Sequence, residues 1–203
     1  MIMQKPNGFD EAKEFGGFTP VNLGGHYAVI KQVTERSTSN GKPMVVVLFD
    51  FCNPDPQENY FSNQFQSDNR EDKKWPYAGS MYLMVQDWND PSKTNKNFKT
   101  FCTSFKKSNG TDITWGGKSW GQQFKDKKIG VVFGEVENEF DGKITMRRNP
   151  RWFCSWDNVE TAGIPRPKYL NGSGPATVNQ QTDQATVNSF VDIPNDMVDE
   201  IPF

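Results

Sequence analysis

The chain has 203 residues, of which 34% are hydrophobic and 24% charged, with a formal net charge of −2. That length suffices for one sizeable core, or one core plus a tail, and the near-neutral balance excludes a strongly basic, histone-like binder. Cys52, Cys102 and Cys154 form no C-x-x-C pair and His26 is the only histidine, so there is no zinc-ligand spacing and the thiols read as reduced.

Residues 1–20 read as an irregular lead-in, with Gly8, Gly16, Gly17 and Pro20 interrupting any period. No apolar signal segment opens it and no stretch approaches ~18 apolar residues, so a soluble, cytoplasmic protein without membrane contact is expected. "GGHYAVIKQVTER" alternates as a strand, which places Tyr27, Val29, Lys31 and Val33 on one face. Asn40-Gly41 in "STSNGKP" is a hairpin turn, and "MVVVLFDFC" reads as a strand buried on both sides. "NYFSNQFQ" is assigned as a third strand, "SDNREDKKWPYAGS" as a polar loop, and "MYLMVQ" fits strand and helix equally. In "NKNFKTFCTSFKKSNG", Phe98, Phe101, Cys102 and Phe105 recur at helical spacing and Asn109-Gly110 supplies the stop. "SWGQQF" carries Ser119 and Gln122 at capping-box spacing, a short helical turn. "KKIGVVFGEVENEF" and "KITMRR" flank Asp141-Gly142 as a second hairpin.

After "GIPRPKYL", Gly, Asn, Gln and Thr dominate, and too little apolar surface remains to offset the entropy of ordering. A boundary near residue 170 follows: a domain at 1–170 and a disordered acidic tail at 171–203. The tail carries five acids and no base, so the first 170 residues hold 23 bases against 20 acids. A mildly basic body with an acidic tail is a charge asymmetry that points toward nucleic acid. The element order predicts a mainly β, five-stranded OB-fold-like barrel with one amphipathic helix between strands three and four. An open α+β sheet uses the same pieces.

Catalytic patterns are scarce. No nucleophilic triad surrounds His26 and no phosphate-binding P-loop occurs, while Glu135, Glu137 and Glu139 alternate as solvated strand acids do. A non-catalytic protein without metal or cofactor is expected. Aromatic residues make up 13% of the chain, including six Trp, and bases interleave with them. One cluster joins Lys73 and Lys74 to Trp75 and Tyr77. A second joins Trp115 and Trp120 to Lys118, Lys125, Lys127 and Lys128. A third sets Arg147, Arg148 and Arg151 against Trp152 and Trp156. Single-stranded nucleic acid needs this pairing, because cations follow the phosphates while flat rings stack on bases of any identity.

The chain closes on Asp196, Asp199, Glu200, Ile201, Pro202 and Phe203. This end resembles the acidic tip of bacterial and phage single-stranded DNA-binding proteins, and the body looks like the divergent versions carried by phages and mobile elements. The resemblance implies an OB domain that coats single-stranded DNA during replication or recombination, with those six residues recruiting partner proteins. It leaves RNA against DNA preference and a homo-oligomer open. In an OB fold the DNA face is strands two and three with the flanking loops, which adds Arg36, Lys42, Tyr60 and Lys143 as candidates. The competing expectation is an OB-like module that binds a protein instead.

Overall fold

A computed structural model describes Lys5 and residues 19–170. Five strands, β1 (Gly24–Ser37), β2 (Pro43–Phe51), β3 (Ser80–Met84), β4 (Lys128–Phe140) and β5 (Lys143–Cys154), form one antiparallel sheet in the order β3-β2-β1-β4-β5. Helix α1 (Tyr60–Ser67) joins β2 to β3, and α2 (Lys96–Asn109) joins β3 to β4. The protein is therefore mainly β, with an open five-stranded sheet and two helices.

Both hairpins follow from local turn chemistry. Asp141 and Gly142 adopt φ of 51° and 70°, so both central residues of the β4–β5 turn are left-handed, as a two-residue hairpin requires. In the β1–β2 turn Gly41 has φ of 72°. The expected face of β1 is corrected at one residue. Its register slips between Ile30 and Gln32, so the alternation changes phase. His26, Ala28, Ile30 and then Val33 are buried inward, while Tyr27, Val29 and Lys31 face the other way. The long strand pairs through residues 28–37 with β2 and through 24–29 with β4.

The third strand is also corrected. "NYFSNQFQ" is α1, not a strand. The fully buried Asp50 carboxylate at the end of β2 accepts hydrogen bonds from the backbone N–H of Phe61 and Ser62 and from the Ser62 hydroxyl. It supplies the acceptor that the first turn of a helix lacks and a negative charge where the helix dipole favours one. Phe61 and Phe65, four residues apart, then fall on neighbouring positions of the helix. The strand is "SMYLM" at β3, paired to β2 from Met44↔Met84 to Leu48↔Ser80.

Helix α2 matches its periodicity, with Phe98, Phe101, Cys102 and Phe105 buried, Asn95 Oδ1 accepting from Asn97 N–H, and Gly110 left-handed at the end. Ser119 precedes the turn Trp120–Phe124 but makes no side-chain cap. The core lies between the inner sheet face and these helices. Phe51 and Phe61 meet at 5.0 Å, Phe101 and Phe153 at 5.1 Å, and Phe105 and Phe124 at 4.7 Å. Burying each such ring contributes on the order of 1.5–3 kcal/mol.

Residues 155–170 run as a strap over the opposite face of β1 and β4. A Cβ at Gly25 would lie 2.1 Å from the Val159 carbonyl oxygen, so only glycine admits the strap there. Lys168 then pairs in parallel with β4, donating to Glu135 O at 2.9 Å and accepting from Glu137 N–H at 2.8 Å. Among the described residues no ladder joins β3 to β5, and no helix is long and apolar enough to cross a membrane.

Candidate nucleic-acid interface

Every residue of β2 from Met44 to Phe51 is buried, so the strand is covered on both sides. Val45, Val47, Phe49 and Phe51 enter the main core, whereas Met44, Val46 and Leu48 face outward and gather with Met84 into a second apolar cluster. Trp75 and Tyr82 pack against that cluster. The strand registers place Arg36, Met44 and Met84 in one row and Thr34, Val46 and Tyr82 in the next. Arg36 and Tyr82 thus border an apolar floor on the outer face of β2 and β3.

Aromatic rings and cations converge on this floor. Tyr77, 46% exposed, stacks on Tyr82 with centroids 6.2 Å apart and planes at 26°. Trp75 donates its indole N–H to Gly79 O at 3.0 Å and meets Phe65 at 5.8 Å, with Lys73 Nζ 4.9 Å from the Phe65 centroid. At the β1–β2 turn, Lys42 Nζ lies 3.7 Å from the Trp88 ring centroid. Burial raises the Tyr82 phenol above its ordinary value, with Tyr77 adding and Arg36 opposing. Tyr82 is therefore neutral at physiological pH. Its hydroxyl is buried and finds no hydrogen-bond partner among the described residues. Neutral rings beside guanidinium and ammonium groups suit a polyanion carrying flat bases.

Of the residues singled out from sequence, Arg36, Trp75 and Tyr77 meet at this floor, Lys73 lies over Phe65 beside Trp75 with Lys74 next in the same loop, and Lys42 lies over Trp88 at the β1–β2 turn. The others lie elsewhere. Trp120 is buried in the main core, and Trp115, 64% exposed, stacks on it at 5.9 Å beside α2. Lys118 is exposed on the Gly116-Gly117 loop between them. Tyr60 on α1 donates its hydroxyl to Thr19 O at 2.6 Å, and Arg148 donates to Val21 O at 2.6 Å. Arg151 holds the strap, donating to the carbonyls of Glu135 and Arg166. Trp152 is half-buried on β5 opposite Val132.

Trp156, at the start of the strap, packs against Tyr27 at 4.7 Å, with Lys128 Nζ 4.8 Å from its centroid. Lys127 is exposed just before β4, where its carbonyl accepts from Ile30 N–H. Lys143 and Arg147 are exposed near the tip of the β4–β5 hairpin. Asp196, Asp199, Glu200, Ile201, Pro202 and Phe203 fall outside the described residues.

Sequence reasoning missed Tyr82 and Trp88. Tyr82 carried a signal in the alternation of "MYLM", whose outward position faces this floor. Trp88 carried none, since its cation is 46 residues away.

Other chemistries find little support. His26 is buried, its Nδ1 3.0 Å from Asp55 Oδ2 and its Nε2 2.9 Å from Asn22 O, so both ring nitrogens have partners. Burial pushes the Cys52, Cys102 and Cys154 thiols up to about 11, which keeps them protonated and poorly nucleophilic at neutral pH. Among the described residues no group of three or more His, Cys, Asp or Glu is placed to hold a metal ion. No protein-family profile matches the chain, and no curated protein sequence is significantly similar to it.

Proposed function

We propose that the protein is a non-catalytic single-stranded DNA-binding protein with an OB-like, partly open barrel, acting in phage DNA replication or recombination. The observation that carries this reading is the outer face of β2 and β3, where Arg36 borders the Tyr77–Tyr82 stack over an apolar floor and Lys42 lies over Trp88 at the β1–β2 turn. Supporting the fold reading, β1 pairs with one strand on each side, β2 and β4, and α2 stands between β3 and β4, the order expected of a five-stranded OB barrel. Phosphates would follow the cations and bases would stack on the rings, each stacked base contributing on the order of 1–3 kcal/mol. The C-terminal tip would recruit replication or recombination proteins: a partner's apolar pocket takes the Phe203 ring while a basic group meets the terminal carboxylate.

A second reading, a module that binds polypeptide, draws on Phe140 and Ile144, which are 66% and 62% exposed at the β4–β5 tip. Fluorescence anisotropy with labelled oligo(dT) and a duplex of equal length separates the two. Single strands are expected to bind more tightly than duplex, with log affinity falling against log salt by about 0.7 for each phosphate neutralised. Absence of binding at low salt with micromolar protein would leave the polypeptide reading.

A further inference from the structure

Trp88 stands apart from the clusters that the sequence suggests, and its loop is tied down by several hydrogen bonds. Its loop is closed at the base by Val85 N–H to Pro43 O at 3.1 Å and Asn95 N–H to Val85 O at 3.0 Å. Within it, Asp87 Oδ1 accepts from Asn89 and Asp90 N–H, and Asp87 N–H donates to Lys93 O at 2.8 Å. Trp88 therefore projects from a hydrogen-bonded turn, 43% exposed, beside the β1–β2 hairpin.

The neighbouring cations are not equivalent. Lys93 is neutralised by Asp90 at 2.8 Å. Lys42 meets no carboxylate among the described residues: its ammonium rests over the Trp88 ring at 3.7 Å and donates to Trp88 O at 3.4 Å. A cation–π contact at a solvent-exposed site is weak, and an ammonium prefers a phosphate oxygen when one is offered. A nucleobase on the same ring gains more than the ammonium does.

Resting on the reading above, we propose that Trp88 is a base-stacking platform of this site and that Lys42 occupies it as a stand-in in the free protein. When a single strand arrives, Lys42 leaves the ring for a phosphate and a base takes its place. The lysine therefore contributes twice with opposite signs, because it gains a phosphate contact and gives up a ring contact. Only the first depends on salt, since the phosphate contact releases a counterion.

That opposition gives the test. Lys42→Ala, Trp88→Ala and the double variant are titrated with labelled oligo(dT) by anisotropy over a range of salt, with near-ultraviolet circular dichroism confirming the fold. For Lys42→Ala the slope against log salt is expected to shrink by about 0.7, and its line to cross that of the unaltered protein. It binds more weakly at low salt and more tightly at high salt, because no ammonium has to be displaced. Trp88→Ala is expected to lose about fivefold or more at every salt, with partial recovery in Trp88→Phe. In the Trp88→Ala background the Lys42→Ala line no longer crosses. A Lys42→Ala line that never crosses, or an unchanged Trp88→Ala, overturns the stand-in while the single-strand reading survives. If the unaltered protein does not bind oligo(dT), both fall together.

Discussion

Reversing two charges at once, with Arg36→Glu and Lys42→Glu, is expected to lower affinity for oligo(dT) at least about 100-fold at low salt. Each cation lost removes one counterion-releasing contact, so the salt slope should shrink by about 1.4 for the pair, and each glutamate adds repulsion from the phosphates. Arg36 lies near the end of β1 in the row of Met44 and Met84, and Lys42 lies in the turn just before β2. Neither residue belongs to the main aromatic core, so the fold should persist. Anisotropy across salt measures the effect, with circular dichroism as the control. Affinity within threefold of the unaltered protein would place the nucleic acid elsewhere.

Phe61→Ala is expected to be the most destabilising single change outside the strands, costing about 3–5 kcal/mol, as large-to-small changes at fully buried rings do. Phe61 is completely buried and meets Phe49, Phe51, Tyr60 and Phe133 at 5.0 to 6.3 Å. It is the side chain by which α1 enters the core, and Asp50 fixes the first turn of that helix at the same place. Truncation therefore opens a cavity and loosens the connection that leads into β3 and the proposed binding face. Urea unfolding followed by circular dichroism gives the cost. A loss under about 1 kcal/mol would mean that α1 is not docked as described.

The legible parts of this fold are those whose causes are local in the chain. Asn40-Gly41 and Asp141-Gly142 announce both hairpins because two left-handed residues in succession leave few alternatives. Helix α2 carries its own stripe of Phe98, Phe101 and Phe105, its N-cap Asn95 and its stop at Gly110. Helix α1 was illegible because its cap is Asp50, a side chain 11 residues upstream on β2. The bulge in β1 was illegible for a similar reason, since nothing at Lys31 marks the extra residue in its pairing with β2.

The candidate site divides in the same way. Adjacency of cation and ring in the chain grouped Lys73, Trp75 and Tyr77, of which Trp75 packs on the outer cluster and Tyr77 stacks on Tyr82. It says nothing about which side of a sheet a residue meets. Trp120 turned into the core, and Trp156 begins the strap against Tyr27 of β1. The Lys42–Trp88 contact joins two loops that only the antiparallel sheet brings together.

In the proposed function, single-stranded DNA lies across the outer face of β2 and β3. Ultraviolet crosslinking of oligo(dT) to the full chain, with adducts located by mass spectrometry, tests both the ligand and the place. Stacked rings react where they touch bases, so adducts are expected at Tyr77, Tyr82 and Trp88. Adducts confined to Trp115 or Trp156, or none under conditions where a known single-strand binder reacts, would contradict it.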